Sequence, residues 1–376
     1  MLKGVHLTLM IGPAVPIPAP QVVMDALAAV QVTSGKDKSG FQLTFAVSKD
    51  SPLLRTMLPA GYFDPMITRV VVVATVNGFP NVLMDGMVTR HELNPSSEPG
   101  QSTLTVTGED LSVLMDIVEM PFMRYPGIPD IGKVYLILAK YAAFGCIPLA
   151  IPPIITDVPI PTNKIDIHQG TDLKYLKLLA NSHGYTFYVE PGPLPGQSVA
   201  YWGPDIRIPV PQSALNINMD AHTNVDALSF SLDGLAKKIL VFGVFDPGTK
   251  KIPIPLALPN LNILKPPLGA RLTPPAKVEF PDWGFTDDSI PKTLERALGA
   301  LVRSSDSISV SGSLDVTRYG KVLRNRLLVG VRGAGLAYDG LYYVNSVTHK
   351  IKHGEYKQSF QLSRDGLISN TPKVPV

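Results

Sequence analysis

Two histidines four residues apart, His349 and His353, are the pair in this sequence whose spacing most invites a chemical role. On one face of a helix, with a glutamate between them, such a pair holds zinc. Here Lys350, Ile351 and Lys352 intervene, the context is a strand and a turn, and two lysines oppose a cation. The other histidines, His6, His91, His168, His183 and His222, show no ligand spacing. Hydrolysis through a serine nucleophile needs a sharp strand-to-helix turn of the G-x-S-x-G type, which is absent. The segment "SVSGSLD" around Ser311 and Ser313 reads instead as a turn-rich strand edge. "GVRGAG", Gly330 to Gly335, has glycines but no lysine and no following helix to cradle a phosphate, so it reads as a tight β-turn. Glycoside hydrolysis needs two carboxylates at a set separation. Asp172, Glu190 and Asp226 are available, but nothing in the sequence pairs them. Cys146, the only cysteine, excludes an internal disulfide and a cysteine-rich zinc site, and after "KYAAFG" it reads as a small buried apolar residue. No catalytic, metal or cofactor site is expected.

The elements that hold these residues alternate in type along the chain. "GFQLTFAVS" places Phe41, Leu43, Phe45 and Val47 on one face of a half-buried strand. "TRVVVVATVNGFPNVLMDGMVTRHEL" gives an apolar strand, an Asn77-Gly78 turn and a returning strand. In "QSTLTVTGED", Leu104 and Val106 oppose three threonines. Residues 1–108 therefore read as an all-β unit of six or seven strands, a small barrel or sandwich. From Asp110, an N-cap candidate, the spacing turns helical. A second helix ends near Gly145, and "TDLKYLKLLANSHGYTFYVE" reads as a helix, a left-handed stop at Gly184 and a strand. Residues 109–222 are thus an α+β region. Strands resume at 223–246 and again at 306–366. Between them lies a proline-rich interruption, 247–305, with a helix over 290–303 capped by Ser289, and residues 367–376 form a tail.

Composition fits two readings equally, a chain that buries surface against other chains and a compact β-rich protein with many turns. Prolines number 36 of 376, roughly twice the usual ~5% share, and charged residues are only 17%. The net charge of +3 carries no basic run long enough for a nucleic-acid footprint. Prolines at 13, 16, 18 and 20 break the helix that a signal peptide's apolar core needs, so the N-terminus reads as a strand and an extended loop. No window reaches 18 apolar residues, so no membrane-spanning helix is expected, and helices and proline tracts argue against an outer-membrane barrel.

The C-terminal run "DVTRYGKVLRNRLLVGVRGAGLAYDGLYYVNSVTHKIKHGEYKQSFQLSRDGL" closely resembles the end of the phage late control protein D family, the baseplate hubs of contractile tails and injection systems. "HQGTDLKYLKLLANSHGYTFYV" resembles that family's middle segment, and "GFQLTFAVS" and "LTVTGEDLSVLMD" its N-terminal barrel. The resemblance implies an α+β, mainly β fold: two antiparallel β-barrel domains, the second split by an insertion, joined by an α+β domain. It implies a homotrimer forming a pseudo-hexameric ring that joins a hexameric tail tube to a trimeric spike, alongside other baseplate components. Assembly in the bacterial cytoplasm and residence in a phage tail or injection particle follow from the same likeness. Because the chain ends at Val376, with no needle following, the spike is expected to be a separate protein.

Residues matching the signature are Gly320, Gly330, Gly333, Asp339, Gly340, Tyr343, His349, Gly354, Tyr356, Phe360, Arg364, Asp365 and Gly366. Gly340, Gly354 and Gly366 are expected in turns, with Arg364 and Asp365 pairing or capping locally. In the insertion, Pro253, Pro255, Pro259, Pro266, Pro267 and Trp283 are expected to face a partner chain. Two other functions stand beside the hub: a peptidoglycan hydrolase of the same machine, which needs a paired-carboxylate cleft, and a secreted binding module, which the signal-poor N-terminus disfavours.

Overall fold

The computed structural model describes residues 4–370 apart from 14, 37–38, 99–100, 154–164, 208–209, 246–252, 259–265, 280–284 and 287–305. Six strands of the N-terminal part are β1 (Val5–Gly12), β2 (Leu27–Ser34), β3 (Ser39–Ala46), β4 (Arg69–Val76), β5 (Phe79–Asn94) and β6 (Thr103–Asp110). The alternation in β3 does what the sequence predicts: Phe41, Leu43 and Phe45 are buried and Gln42 is exposed. β4 is apolar along its length because both its faces are covered. Val70, Val72, Ala74 and Val76 enter the main core, while Arg69, Val71 and Val73 are buried outside it. The β4–β5 connection is the Asn77-Gly78 turn, both residues at positive φ, as a two-residue hairpin requires.

The middle of the chain packs two helices on a three-stranded sheet. α1 (Asp130–Ala139) and α2 (Asp172–Ser182) cover β7 (Cys146–Ala150), β8 (Thr186–Pro191) and β9 (Ser198–Gly203). Thr171 caps α2 by accepting from the Lys174 amide, and Gly184, at φ 68, lies just past its C-terminus. Trp202 is fully buried at the centre and donates its indole N–H to the Leu176 carbonyl at 3.3 Å. The predicted helix after Asp110 is a short 3-10 turn, 111–116, capped by the Asp110 carboxylate.

The remaining strands are β10 (Gln212–Asn216), β11 (Ala227–Leu232), β12 (Ile308–Asp315), β13 (Leu328–Arg332), β14 (Gly340–Lys352) and β15 (Glu355–Arg364). They join the N-terminal strands in one sheet, in which β14 pairs with β2 through six residue pairs, from Val347↔Ser34 to Lys352↔Ala29. Apolar side chains of both ends of the chain meet in one core. β12 corrects an expectation. "SVSGSLD" is not a strand edge but an inner strand, paired with β11 on one side and β15 on the other. Its serines mark its solvent face rather than a turn: Ser309 and Ser311 are exposed while Val310 and Leu314 are buried.

Inside the insertion the backbone of 253–258, with Pro253 and Pro255, pairs with Leu240–Phe245. Pro266 and Pro267 are exposed. Pro259, Trp283 and the helix expected at 290–303 lie outside the described residues, as do residues 371–376 of the tail. The strand Gly269–Leu272 pairs with Gly366–Ser369, which ties the insertion to the end of the chain. Among the described residues no helix is long and apolar enough to cross a membrane.

Candidate assembly surfaces and a central cleft

The carboxylates that invite comparison with a hydrolase do not face one another. Asp172 is buried against Lys140 Nζ at 2.5 Å and accepts from the Tyr141 hydroxyl at 2.7 Å. Asp226 pairs with Arg318 at 3.1 Å. Glu190 lies 3.6 Å from Arg326. The described residues contain no group of three or more His, Cys, Asp or Glu side chains placed to hold a metal. Cys146 is buried, and burial pushes its thiol up to about 11.

A cleft of about 350 Å³ opens where the three parts of the chain meet, lined by Ser34, Val82, Tyr188, Glu190, Arg326 and Tyr343 among others. Arg326 is its centre. Its guanidinium sits 3.7 Å from the Tyr188 ring centroid and donates to the Gly35 carbonyl at 2.8 Å. Its backbone has φ 60, a left-handed conformation that costs an arginine about 1–2 kcal/mol. One side chain thus touches the N-terminal strands and the middle region while its own strand connection belongs to the C-terminal part. Burial raises the Glu190 carboxyl above its usual range, and Arg326 and Arg324 draw it back. A stacked cation and a paired carboxylate at a three-way junction position the parts. Glu190 and Asp205 both line the cleft, Glu190 beside Arg326 and Asp205 accepting from the Tyr343 hydroxyl.

Buried ion pairs that the sequence reading missed fix the same junctions. Arg69 and Asp85 form a two-pronged pair at 2.6 and 2.7 Å, with side chains 3% and 0% exposed. Arg69 also donates to the Gly196 carbonyl and Ser198 to Asp85, so the pair rivets β4 and β5 to the middle region. Arg207 holds Asp306 at 2.6 Å, and Tyr343 donates to Asp205 at 2.8 Å, riveting the middle region to the C-terminal strands. Arg69 and Asp85 lie 16 residues apart, but Ser198 lies 113 from Asp85, Asp306 99 from Arg207 and Tyr343 138 from Asp205, separations that carry no spacing signal.

The signature residues gather into two structural groups. In the first, Arg364 is fully buried, donates to the carbonyls of Asp339 and Ala337 at 2.9 and 2.8 Å, and stacks on Tyr342 at 4.5 Å. Asp339 accepts from the Ala334 amide, closing the turn that Gly333 opens at φ 84. Asp365 accepts from the amides of Leu268 and Gly269, so its partners lie in the insertion and not locally. Gly366 corrects the turn expectation. It starts a strand, its φ is not positive, and a Cβ there meets the Arg271 carbonyl oxygen at 2.3 Å. Gly354, at φ 79, does serve the β14–β15 turn, whereas Gly340, at φ 127, starts β14 opposite Val331. The second group is the dry face of the β14–β15 hairpin. His349 Nδ1 lies 2.9 Å from the Tyr356 hydroxyl and 3.2 Å from Gln358 Nε2, and Phe360 is buried on the same face. Gln358 also bonds both the amide and the carbonyl of Leu323. Gly320 ends the Val316–Tyr319 turn at φ 77, and Gly330 lies inside β13 opposite Leu341.

His349 is therefore a neutral core residue. Burial, with a smaller push from Arg324, lowers it from 6.5 to about 3. A histidine depressed in the fold gives full stability above its unfolded value and loses it progressively as pH falls toward the folded one. The chain is expected to lose about 1.4 kcal/mol per pH unit below about pH 6.5 from this residue alone. His349→Gln flattens that slope in urea titrations run between pH 7.5 and 5, and an unchanged slope contradicts the assignment.

Comparison with solved structures decides what this architecture is. A tail protein from Neisseria meningitidis MC58 superposes with a TM-score of 0.62 over 96% of this chain and 98% of its own, at 14% identity. The chain has the tail-protein fold. A 43 kDa tail protein of prophage MuSo2 from Shewanella oneidensis matches at TM-score 0.60, 13% identity, over 96% and 99% of the two chains. An E. coli component of the type VI secretion system, described as similar to T4 bacteriophage tail proteins gp27 and gp5, matches at 0.53 and 11% identity over 93% and 78%. No model of a known protein family and no curated protein matches the sequence. In the tail-protein fold, mostly β, the rivets tie three parts of one chain together, and the Arg364 clasp closes a turn of the C-terminal part.

Proposed function

We propose that this chain is the structural baseplate hub of a contractile tail or injection system. In this reading three copies form a pseudo-hexameric ring that seats a hexameric tube on one side and a trimeric spike on the other. The observation that carries it is the end-to-end likeness to phage tail proteins, which covers nearly the whole of both chains. The division into a first barrel at 1–108, a middle domain at 109–222, and a second barrel at 223–246 plus 306–366, split by 247–305, belongs to the same proposal. Supporting it, the sheet contains two runs of four antiparallel strands, β11-β12-β15-β14 and β2-β3-β6-β5, laid edge to edge. Two similar units per chain turn three copies into six positions. The function is mechanical, and the proline-rich insertion and spike-facing surfaces serve as contacts with other baseplate components. Negative-stain images of the purified chain, alone and with its spike, are expected to show rings with six similar lobes. Compact single particles under both conditions contradict the proposal.

A further inference from the structure

The cleft at the three-way junction holds more polar groups than the junction uses. Its floor is the face of the three-stranded sheet turned away from the core of the middle region. Along β8 the side chains alternate: Phe187 and Val189 enter that core, and Thr186, Tyr188 and Glu190 face the cleft. Tyr201 of β9, directly across from Tyr188, lies beside it with ring centroids 4.9 Å apart and planes at 24°. Gly203 leaves room for this arrangement, because a Cβ there meets the Tyr201 hydroxyl at 2.8 Å. Arg324, Asn325 and Arg326 line the cleft from the C-terminal part, and Asp205 from the link that follows β9.

We infer that this cleft binds a small uncharged sugar. Three observations carry the inference, which goes beyond the hub reading and does not depend on it. First, hydrogen-bonding groups of both kinds are left over. Glu190 makes no hydrogen bond among the described residues, and its ion-pair partner Arg326 stands at 3.6 Å. Asp205 accepts from the Tyr343 hydroxyl through Oδ1, which leaves Oδ2 open. The Asn325 amide nitrogen is buried and has no partner. Native proteins pair their buried polar groups, so unpaired donors and acceptors gathered in one cleft mark a place for a ligand. Burial raises the Glu190 carboxyl, the condition of a group held in place for binding rather than for stability.

Second, the charges balance: Arg324 and Arg326 stand with Glu190 and Asp205. An anion entering here meets two carboxylates, and a cation meets two guanidinium groups. A hydroxyl donates to a carboxylate and accepts from a guanidinium or an amide, so a polyhydroxylated neutral ligand uses both kinds. Third, the surface between these groups is flat and apolar. The tyrosine pair, with Pro191 and Pro204, suits the C–H face of a sugar ring. A peptide lying on this floor finds no backbone partner, because the β8 backbone bonds to β9 in the plane of the sheet. The volume of about 350 Å³ stands at the small end of ligand pockets, ~300–1,000 Å³. Glu190 and Asp205 Oδ2 thus accept from ring hydroxyls, and Arg324 and Asn325 donate to them.

The test is calorimetric titration of the full-length chain, with saturation-transfer NMR as a second readout. The probes are glucose, N-acetylglucosamine, maltose and the β-1,4-linked dimer of N-acetylglucosamine, and the controls are glucuronate and glycylglycine. At least one neutral sugar is expected to bind, with the same affinity at low and high salt. Glu190→Gln and Asp205→Asn are each expected to weaken it by roughly ten-fold, the loss of one hydrogen bond to a charged group. Because Glu190 makes no hydrogen bond, Glu190→Gln is expected to keep the parent's urea midpoint. A parent chain that binds none of these sugars overturns the inference. Binding that survives both substitutions also overturns it, because the sugar then sits elsewhere. Binding of glycylglycine alone overturns it in favour of a peptide, and of glucuronate alone in favour of an anion. None of these results changes the native mass of the chain, so the sugar site and the hub fail separately.

Discussion

Asp85→Ala is expected to lower the unfolding free energy by about 3–5 kcal/mol, the cost of removing the carboxylate that balances a buried arginine's charge. Arg69 is 3% side-chain exposed, so no solvent takes over the two bonds lost at 2.6 and 2.7 Å. The loss has a local signature as well. Ser198 donates to Asp85, and Ser198 lies directly beside Cys146 in the β7–β9 ladder. Cutting the rivet loosens the middle region from β4 and β5, and the lone cysteine, buried in the intact chain, becomes reachable. Thiol labelling of Asp85→Ala under native conditions should be at least ten-fold faster than in the parent chain. A double change to Arg69→Met and Asp85→Leu, which removes both charges, is expected to recover most of the stability. If the single variant unfolds at the parent's urea midpoint, the rivet is not what holds these parts together.

Arg364→Ala is the second large effect. It strips donors from the Asp339 and Ala337 carbonyls, removes the stacking on Tyr342 and leaves a cavity in a fully buried site. Together these are expected to cost about 3 kcal/mol or more. Arg364→Lys should rescue little, because a single ammonium does not reproduce the planar fork that reaches two carbonyls and stacks on a ring. The neighbouring Asp365 anchors the returning insertion at Leu268 and Gly269. Protease sensitivity is therefore expected to rise first in the 333–340 turn and near residue 268, before the sheet melts. Uniform sensitivity along the chain contradicts the clasp.

Facing was legible in the sequence, and neighbourhood was not. The alternation of Phe41, Leu43 and Phe45, the Asn77-Gly78 turn and the Thr171-to-Gly184 helix are local patterns, and each stands in the structure. On β15 the dry face of Tyr356, Phe360 and Leu362 was equally clear, yet it also holds Gln358 and Arg364. Polar residues on an apolar face give no warning of the carbonyls that satisfy them, because those partners lie 35 and about 26 positions away. The serines of β12 misled for the opposite reason: on a solvent face, hydroxyls look like a turn until the strands on both sides are known. The joint of β2 with β14 spans more than 300 residues, and nothing in either strand announces the other. The C-terminal signature pointed to the right fold, while its residues serve to clasp turns and the insertion.

The measurement that bears most directly on the central reading is the native mass of the purified full-length chain, with and without a co-expressed spike. One chain is 40.6 kDa, and a hub predicts a species of about 122 kDa, three chains, in at least one of the two preparations. A chain that remains at 40.6 kDa in both contradicts the ring and with it the proposed function.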